Sequence, residues 1–151
     1  MVNNVRIIKV KDLDEWNLDV LIKESEQEGH RFVTKLVRQY VSLQNRFDRQ
    51  GEVLYVATLN EEVVGVCGLN KDPYNEQKNI GRLRHLYVLS QFRNLGIAQK
   101  LLEQIKKDSI STFSIMTLRT SNPVADRFYT RNGFTKDEHT YLDSTHYYSI
   151  K

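Results

Sequence analysis

The segment 80–108, IGRLRHLYVLSQFRNLGIAQKLLEQIKKD, changes its hydrophobic period partway along. Over IGRLRHLYVL charged and apolar positions alternate, which is the period of a long strand with two unlike faces. From Ile97 the apolar residues Ile97, Leu101 and Ile105 recur every fourth position, which is one face of a helix running to about Asp108. The next apolar run, FSIMTLRT, reads as a second strand. Upstream, VLYVATL and VVGVCGL are separated by the polar Asn60, Glu61 and Glu62 and read as two antiparallel strands in a tight hairpin. Hairpins early and a strand, helix, strand unit late argue for an α/β fold with a mixed sheet covered by helices.

The remaining segments fit around that core. VRIIKV at 5–10 reads as a first strand, and Asp12 offers a cap for a helix over LDEWNLDVLIKE. Phe32, Leu36, Tyr40, Leu43 and Phe47 follow at intervals of four, four, three and four, which predicts a helix that covers the sheet. KDPYNEQKN is a polar loop with Asp72 and Pro73 as turn formers. PVADRFYTRNGF is a short helix closed by Gly133, and the tail 140–150 is β-like. With 151 residues, no repeat and no linker, residues 1–151 are expected to form a single domain.

Composition excludes several classes. A hydrophobic share of 40% and a charged share of 27% argue against disorder. The net charge of +3 is too small for a dedicated nucleic-acid binder but leaves room for a small anionic ligand. Cys67 stands alone in the chain, inside VVGVCGL, and reads as a small core residue. MVNNVRIIKV has none of the regions of a signal peptide and no apolar run reaches membrane-span length, so neither a membrane nor export is expected and the cytoplasm is the expected location.

The turn FRNLGIAQKLL joins the long strand to its helix. The first amides of a helix lack intrahelical partners and sit at the positive end of its dipole, so they attract anions. Gly96 and Ala98 would let a pyrophosphate approach closely, with Arg93, Gln99 and Lys100 adding charge or hydrogen bonds. The same small residues would equally let a helix pack tightly on a sheet. The spacing matches neither the dinucleotide fingerprint nor a P-loop.

LYVLSQFRNLGIAQKLL resembles the acyl-CoA-binding motif of the GNAT superfamily of acetyltransferases, roughly L-Y-V-x-P-x-x-R-G-x-G-I-G/A-x-x-L. Downstream, Asn122, Ala125, Tyr129, Gly133 and Phe134 resemble the family's N-x-x-A-x-x-x-Y-x-x-x-G-F motif. Ser90 stands where the family usually has proline, and Asn94 where it usually has glycine. The resemblance implies the GNAT fold, a mostly antiparallel sheet with one splayed parallel pair, and acetyl-CoA as co-substrate with no metal. It puts backbone pairing to the pantetheine arm on Leu86, Tyr87 and Val88. It puts the pyrophosphate on Asn94, Leu95, Gly96, Ile97, Ala98 and Gln99, with Arg93 at the turn. Asn122 would hydrogen-bond the pantetheine arm, and Tyr129 would be the general acid; packing beside Phe128 is the plainer role for Tyr129.

The proton acceptor is not carried over. Arg82 and Thr117 occupy the two positions where relatives place a glutamate, and neither side chain is a base. His85 and His146 have a suitable intrinsic pKa, and strand alternation puts His85 on the side of Leu83 and Tyr87. A cluster of Arg82, Arg84 and Arg119 would favour an acceptor bearing an anionic group as well as its amine. By the same resemblance the block from Glu28 to Leu54 shapes the acceptor site, which Glu24, Glu28, Asn45, Arg46 and Glu52 could line. The expected reaction is N-acetylation of a small or amino-acid-like primary amine; a protein N-acetyltransferase and a non-catalytic acyl-CoA-binding module are the alternatives. Nothing in the sequence sets the assembly, for which a homodimer is the commonest case.

Overall fold

The computed structural model describes residues 4–151. Seven strands form one sheet: β1 (Arg6–Lys9), β2 (Val53–Leu59), β3 (Glu62–Lys71), β4 (Ile80–Val88), β5 (Ile115–Leu118), β6 (Thr135–Lys136) and β7 (His146–Ser149), in the order β1-β2-β3-β4-β5-β7-β6. Every pair is antiparallel except β4 and β5. Among the described residues four α-helices flank it: α1 (Asp19–Gln27), α2 (Phe32–Val41), α3 (Ile97–Ser109) and α4 (Pro123–Arg131). Among these residues no helix is long and apolar enough to cross a membrane.

Two glycines of β3 show which helix lies on which face. A Cβ at Gly65 would meet Leu101 of α3, whereas one at Gly68, three residues on, would meet Phe47 just beyond α2. An odd spacing on a strand means opposite faces, so α3 covers one side and α2 the other. On its side α3 buries Ile97, Leu101, Leu102 and Ile105, each contributing roughly 1.5–3 kcal/mol relative to exposure. Lys106 of α3 donates to the Asn132 carbonyl at the end of α4, so these two helices are neighbours. On the other side Leu21 of α1 and Val33, Leu36 and Tyr40 of α2 are buried.

Several expectations are corrected. The predicted first helix is two elements: Asp12 caps only a 3₁₀ turn, Leu13–Glu15, and α1 begins later, at Asp19. The second helix stops at Val41; Leu43 and Phe47 have left-handed φ of 69° and 54°. The left-handed Leu43 closes the helix, its amide bonding the Tyr40 carbonyl and the Asn45 amide the Gln39 carbonyl, and the Asn45 side chain then accepts from the Phe47 amide. Phe47 still enters the core, by way of this loop, and Leu43 is exposed. The tail is strand only at His146–Ser149, and the short β6 before it has no apolar alternation to announce it. In the hairpin Asn60 and Glu61 both take positive φ, the turn that fits strand twist.

β4 carries a bulge. Gly68 pairs with Arg84 and Val66 with Tyr87, so His85 and Leu86 together face Cys67. His85 takes a left-handed φ of 63° to make this possible, a conformation that costs a non-glycine residue roughly 1–2 kcal/mol. The extra residue resets the alternation. His85 packs edge-on to Phe47, the ring that also covers Gly68 opposite Arg84, so Arg84 and His85 face the same side. The alternation expected for His85 therefore holds in part: it shares the α2 side with Tyr87, which packs on Phe32 and bonds Glu24, but not with Leu83, which pairs with Leu69 on the other face.

Candidate functional site

β4 and β5 pair in parallel at Ile80↔Ile115, Gly81↔Met116 and Arg82↔Thr117 only. Beyond Arg82 the strands part, and β5 continues against β7, with Leu118 opposite His146. Residues 83–88 of β4 are left with backbone groups on that edge that no strand covers. A cleft of about 1590 Å³ opens there and runs from residues 94–99 along this edge to His30, Phe32 and Lys35 beside α2. Leu86, Tyr87 and Val88 all line it.

At one end of the cleft stands the start of α3. Its cap is Gly96, at φ 83° and without a side-chain bond, and the first helical bond runs from the Lys100 amide to the Gly96 carbonyl. The amides of Ile97, Ala98 and Gln99 are thus left without intrahelical acceptors, at the positive end of a thirteen-residue helix. A Cβ on Gly96 would meet nothing within 4 Å. Close packing therefore does not account for this glycine; its left-handed φ and the open space above it do. Asn94 also has a left-handed φ, 63°, which asparagine tolerates better than most residues. The departure from the family's glycine thus leaves a glycine-like backbone. Leu95 is exposed at the tip of the turn, and Lys100 is not among the residues that line the cleft.

Arg93 is placed differently from the expectation of a free phosphate ligand. Its Nε donates to the Val88 carbonyl at 2.8 Å, and its two terminal nitrogens bond Glu28 at 2.8 and 3.2 Å. The Tyr87 hydroxyl lies 2.7 Å from a carboxylate oxygen of Glu24 and of Glu28 alike. Ser90, at the proline position of the motif that the turn resembles, donates to Glu24 through its amide at 2.8 Å and its hydroxyl at 3.0 Å, bonds that a proline lacks. Sequence reading missed this clasp of α1 onto the β4–α3 turn, and Ser90 was its one visible signal. Arg93 holds the Glu28 carboxyl below the usual carboxylate range. Burial raises Glu24, but the bonds from Tyr87 and Ser90 outweigh it and leave that carboxyl low as well.

On the other wall, Asn122 caps α4, with Oδ1 accepting from the amides of Val124 and Ala125. Its amide nitrogen is outside that cap. Tyr129 is 8% exposed, packed edge-on to Phe128 and Phe134, and lines the cleft; burial next to Cys67 raises its pKa. His146 lies behind it, ring centroids 6.2 Å apart, with Nε2 2.7 Å from Asp126 and Nδ1 2.7 Å from the Thr145 hydroxyl. The His146 bond holds the Asp126 carboxyl low, so this histidine's Nε2 is committed to α4.

The two positions that lack a glutamate face each other in register, and carboxylates reach them from elsewhere. Thr117 donates to Asp72 Oδ2 at 2.5 Å, and Arg82 Nη1 lies 3.7 Å from the same oxygen. Arg82 Nη2 donates to the Asp143 carbonyl at 2.6 Å, and Asp143 also pairs with Arg119. Asp72 was legible only as a turn former and Asp143 not at all, because their roles depend on loops meeting in space. Asn45 bonds Asn70 and Arg46 bonds the Tyr40 carbonyl, which makes both structural. Glu52 braces the start of β2 by accepting from the Arg49 and Lys71 amides. Nδ1 of His85 donates to the Phe32 carbonyl at 2.9 Å, and burial, aided by Arg84, pushes its imidazole down to about 3, so the ring is neutral with Nε2 as a lone-pair acceptor.

This geometry has counterparts. Residues 50–136 match the family model of the acetyltransferase (GNAT) domain. A solved protein from Exiguobacterium sp. 255-15, described as an acetyltransferase, is 31% identical with a TM-score of 0.86 over 97% of this chain and 93% of that one. A GNAT-family acetyltransferase from Staphylococcus aureus Mu50 is 21% identical with a TM-score of 0.66, over 97% and 99%. N-acetylglutamate synthase from Neisseria gonorrhoeae, complexed with coenzyme A and N-acetyl-glutamate, shares the fold at 16% identity and a TM-score of 0.70, over 97% of this chain and 35% of that chain. The parted parallel strands, the open amides at α3 and the matching relatives agree: the chain belongs to the GNAT family of acetyltransferases.

Proposed function

We propose that this chain is an acetyl-CoA-dependent N-acetyltransferase whose acceptor is a primary amine of a small or amino-acid-like molecule. The observation that carries the reading is the continuous path from the uncovered edge of β4 to the uncapped start of α3. The residues fit the co-substrate: the open amides at 97–99 and the free space above Gly96 suit a diphosphate, and the edge at 86–88 suits an extended arm that pairs with backbone. Binding to coenzyme A in a protein of the same fold supports this.

When bound, acetyl-CoA supplies an activated acyl group. Backbone amides at the bulge polarise its carbonyl. Tyr129, on the opposite wall, gives its proton to the departing thiolate, and burial keeps that phenol protonated until then. Asn122 donates its free amide to the arm. His85 accepts a hydrogen bond from the incoming amine; because its ring stays neutral well below physiological pH, it orients the amine, and the amine's proton leaves through water. Arg93 fixes the turn by way of Val88 and Glu28.

Thiol release from acetyl-CoA, followed with a broad amine panel, tests the reading. Wild type is expected to release thiol above background with at least one amine, and Tyr129→Phe to lower kcat by about 10²–10⁴-fold with unchanged coenzyme affinity. Tight coenzyme binding with no amine above background would sink the enzyme reading for those amines.

A further inference from the structure

The cations along the cleft are not alike. Arg82 pairs with Asp143, Arg119 with Asp143, Arg93 with Glu28, and Lys136 with Asp126. Lys35, Arg84 and Arg131 also line it and form no ion pair among the described residues; of these three only Arg84 is half-buried, and Glu52 and Asp72 act on it only through space. Both of those carboxylates are already engaged, Glu52 by the amides of Arg49 and Lys71, Asp72 by Thr117, Asn75 and the Tyr74 amide. A guanidinium partly withdrawn from water without a counterion is costly unless something else supplies the charge.

Three independent features lie around it. Lys35 of α2 also lines the cleft and, like Arg84, acts electrostatically on His85. α2 starts here with Arg31 at its cap, no side-chain capping bond and no acidic residue in its first turn, so its positive end is uncompensated. Finally, two buried polar atoms on the same strand have no hydrogen-bond partner, the donor Nη1 of Arg82 and the acceptor Nε2 of His85. Orphans of this kind are rare in a folded chain. Arg82, Arg84 and His85 all line the cleft, so a donor and an acceptor without hydrogen bonds and a cation without an ion pair belong to one stretch of β4 along it.

We propose that the acceptor carries a carboxylate as well as its amine, and that Arg84, with Lys35, receives the carboxylate while Nε2 of His85 receives the amine. A guanidinium bonds a carboxylate through two parallel hydrogen bonds, which fixes orientation as well as charge. The inference rests on the transferase reading but selects among its acceptors: amino-acid-like amines are taken, and amines of equal shape without the carboxylate are refused.

The test uses matched sets in which each amino acid is compared with its amide and with its decarboxylated amine. By thiol release the carboxylate member is expected to exceed the other two by at least about 100-fold in kcat/KM, mostly through KM. Arg84→Gln should bring that ratio below about 10 while coenzyme affinity stays put, Arg84→Lys should keep part of it, and the exposed Lys35→Gln should lower it by about three- to tenfold. Calorimetry on the coenzyme-bound protein with the same sets gives an answer even if no amine is turned over. Binding of the carboxylate member alone, lost in Arg84→Gln, would uphold the inference while the transferase reading failed. Equal or better use of the amide or the decarboxylated amine, a ratio unchanged in Arg84→Gln, or no binding by any carboxylate member would each overturn it.

Discussion

The two ends of the cleft are made of different material. At the α3 end the contacts on offer are main-chain amides, arranged by a glycine and an asparagine in left-handed conformations and by a helix axis. At the α2 end they are side chains, Arg82, Arg84, His85 and Lys35, brought together from a bulged strand and a helix, with Asp72 and Asp143 arriving on loops. A backbone site needs only the right conformation and tolerates wide variation in neighbouring side chains. A side-chain site depends on every element that contributes to it, so it diverges readily between relatives that share a donor.

Substitutions can separate the two. The largest effect is expected from Gly96→Glu, which puts a Cβ in a left-handed position and a negative charge where a diphosphate would lie. Coenzyme affinity should fall by about 100-fold or more, equivalent to about 2.7 kcal/mol, measured by calorimetry on the folded fraction. Lost stability with unaltered affinity would mean that Gly96 serves the backbone alone.

His85→Asn probes the other end and is read through acid stability. The folded-state pKa of His85 lies at about 3, below the unfolded value of 6.5. The unfolded chain therefore takes up a proton that the folded chain refuses, so this residue lowers stability as pH falls from about 6.5 toward 3 and has little effect above that range. Between pH 7 and pH 5 the loss from His85 is about 2 kcal/mol. The groups that act on this ring are Arg84, Lys35 and the Phe32 carbonyl. Urea unfolding at the two pH values should show that loss in wild type and its disappearance in His85→Asn, where asparagine still accepts the left-handed φ. An unchanged pH dependence would mean that the ring is protonated in the fold.

The smallest effect belongs to the clasp between the two ends. Ser90→Pro puts in the residue of the motif that the turn resembles. Leu89 before it already has φ −54° and ψ 140°, which suits a following proline. The substitution removes both bonds to Glu24 and is expected to cost about 1 kcal/mol by chemical denaturation, a discounted figure because the bonds are exposed, with coenzyme affinity within about threefold. Gain of stability would show that the clasp holds nothing.

The sequence by itself determined the sheet-and-helix order, the hairpin, the strand, turn and helix at 80–109 and the donor motif, because each is written in local periodicity or in residues that few others can replace, such as Gly96. It did not determine where α2 stops, since the apolar period runs on through Leu43, whose left-handed backbone ends the helix. Nor did it determine the face on which His85 lies, because one extra residue opposite Cys67 resets the alternation of β4. Only the tertiary structure decided which carboxylates pair with Arg82 and Thr117. Asp72 and Asp143 come to them from separate loops, and nothing in a one-dimensional pattern encodes which loops will meet or which cation will be left without a partner.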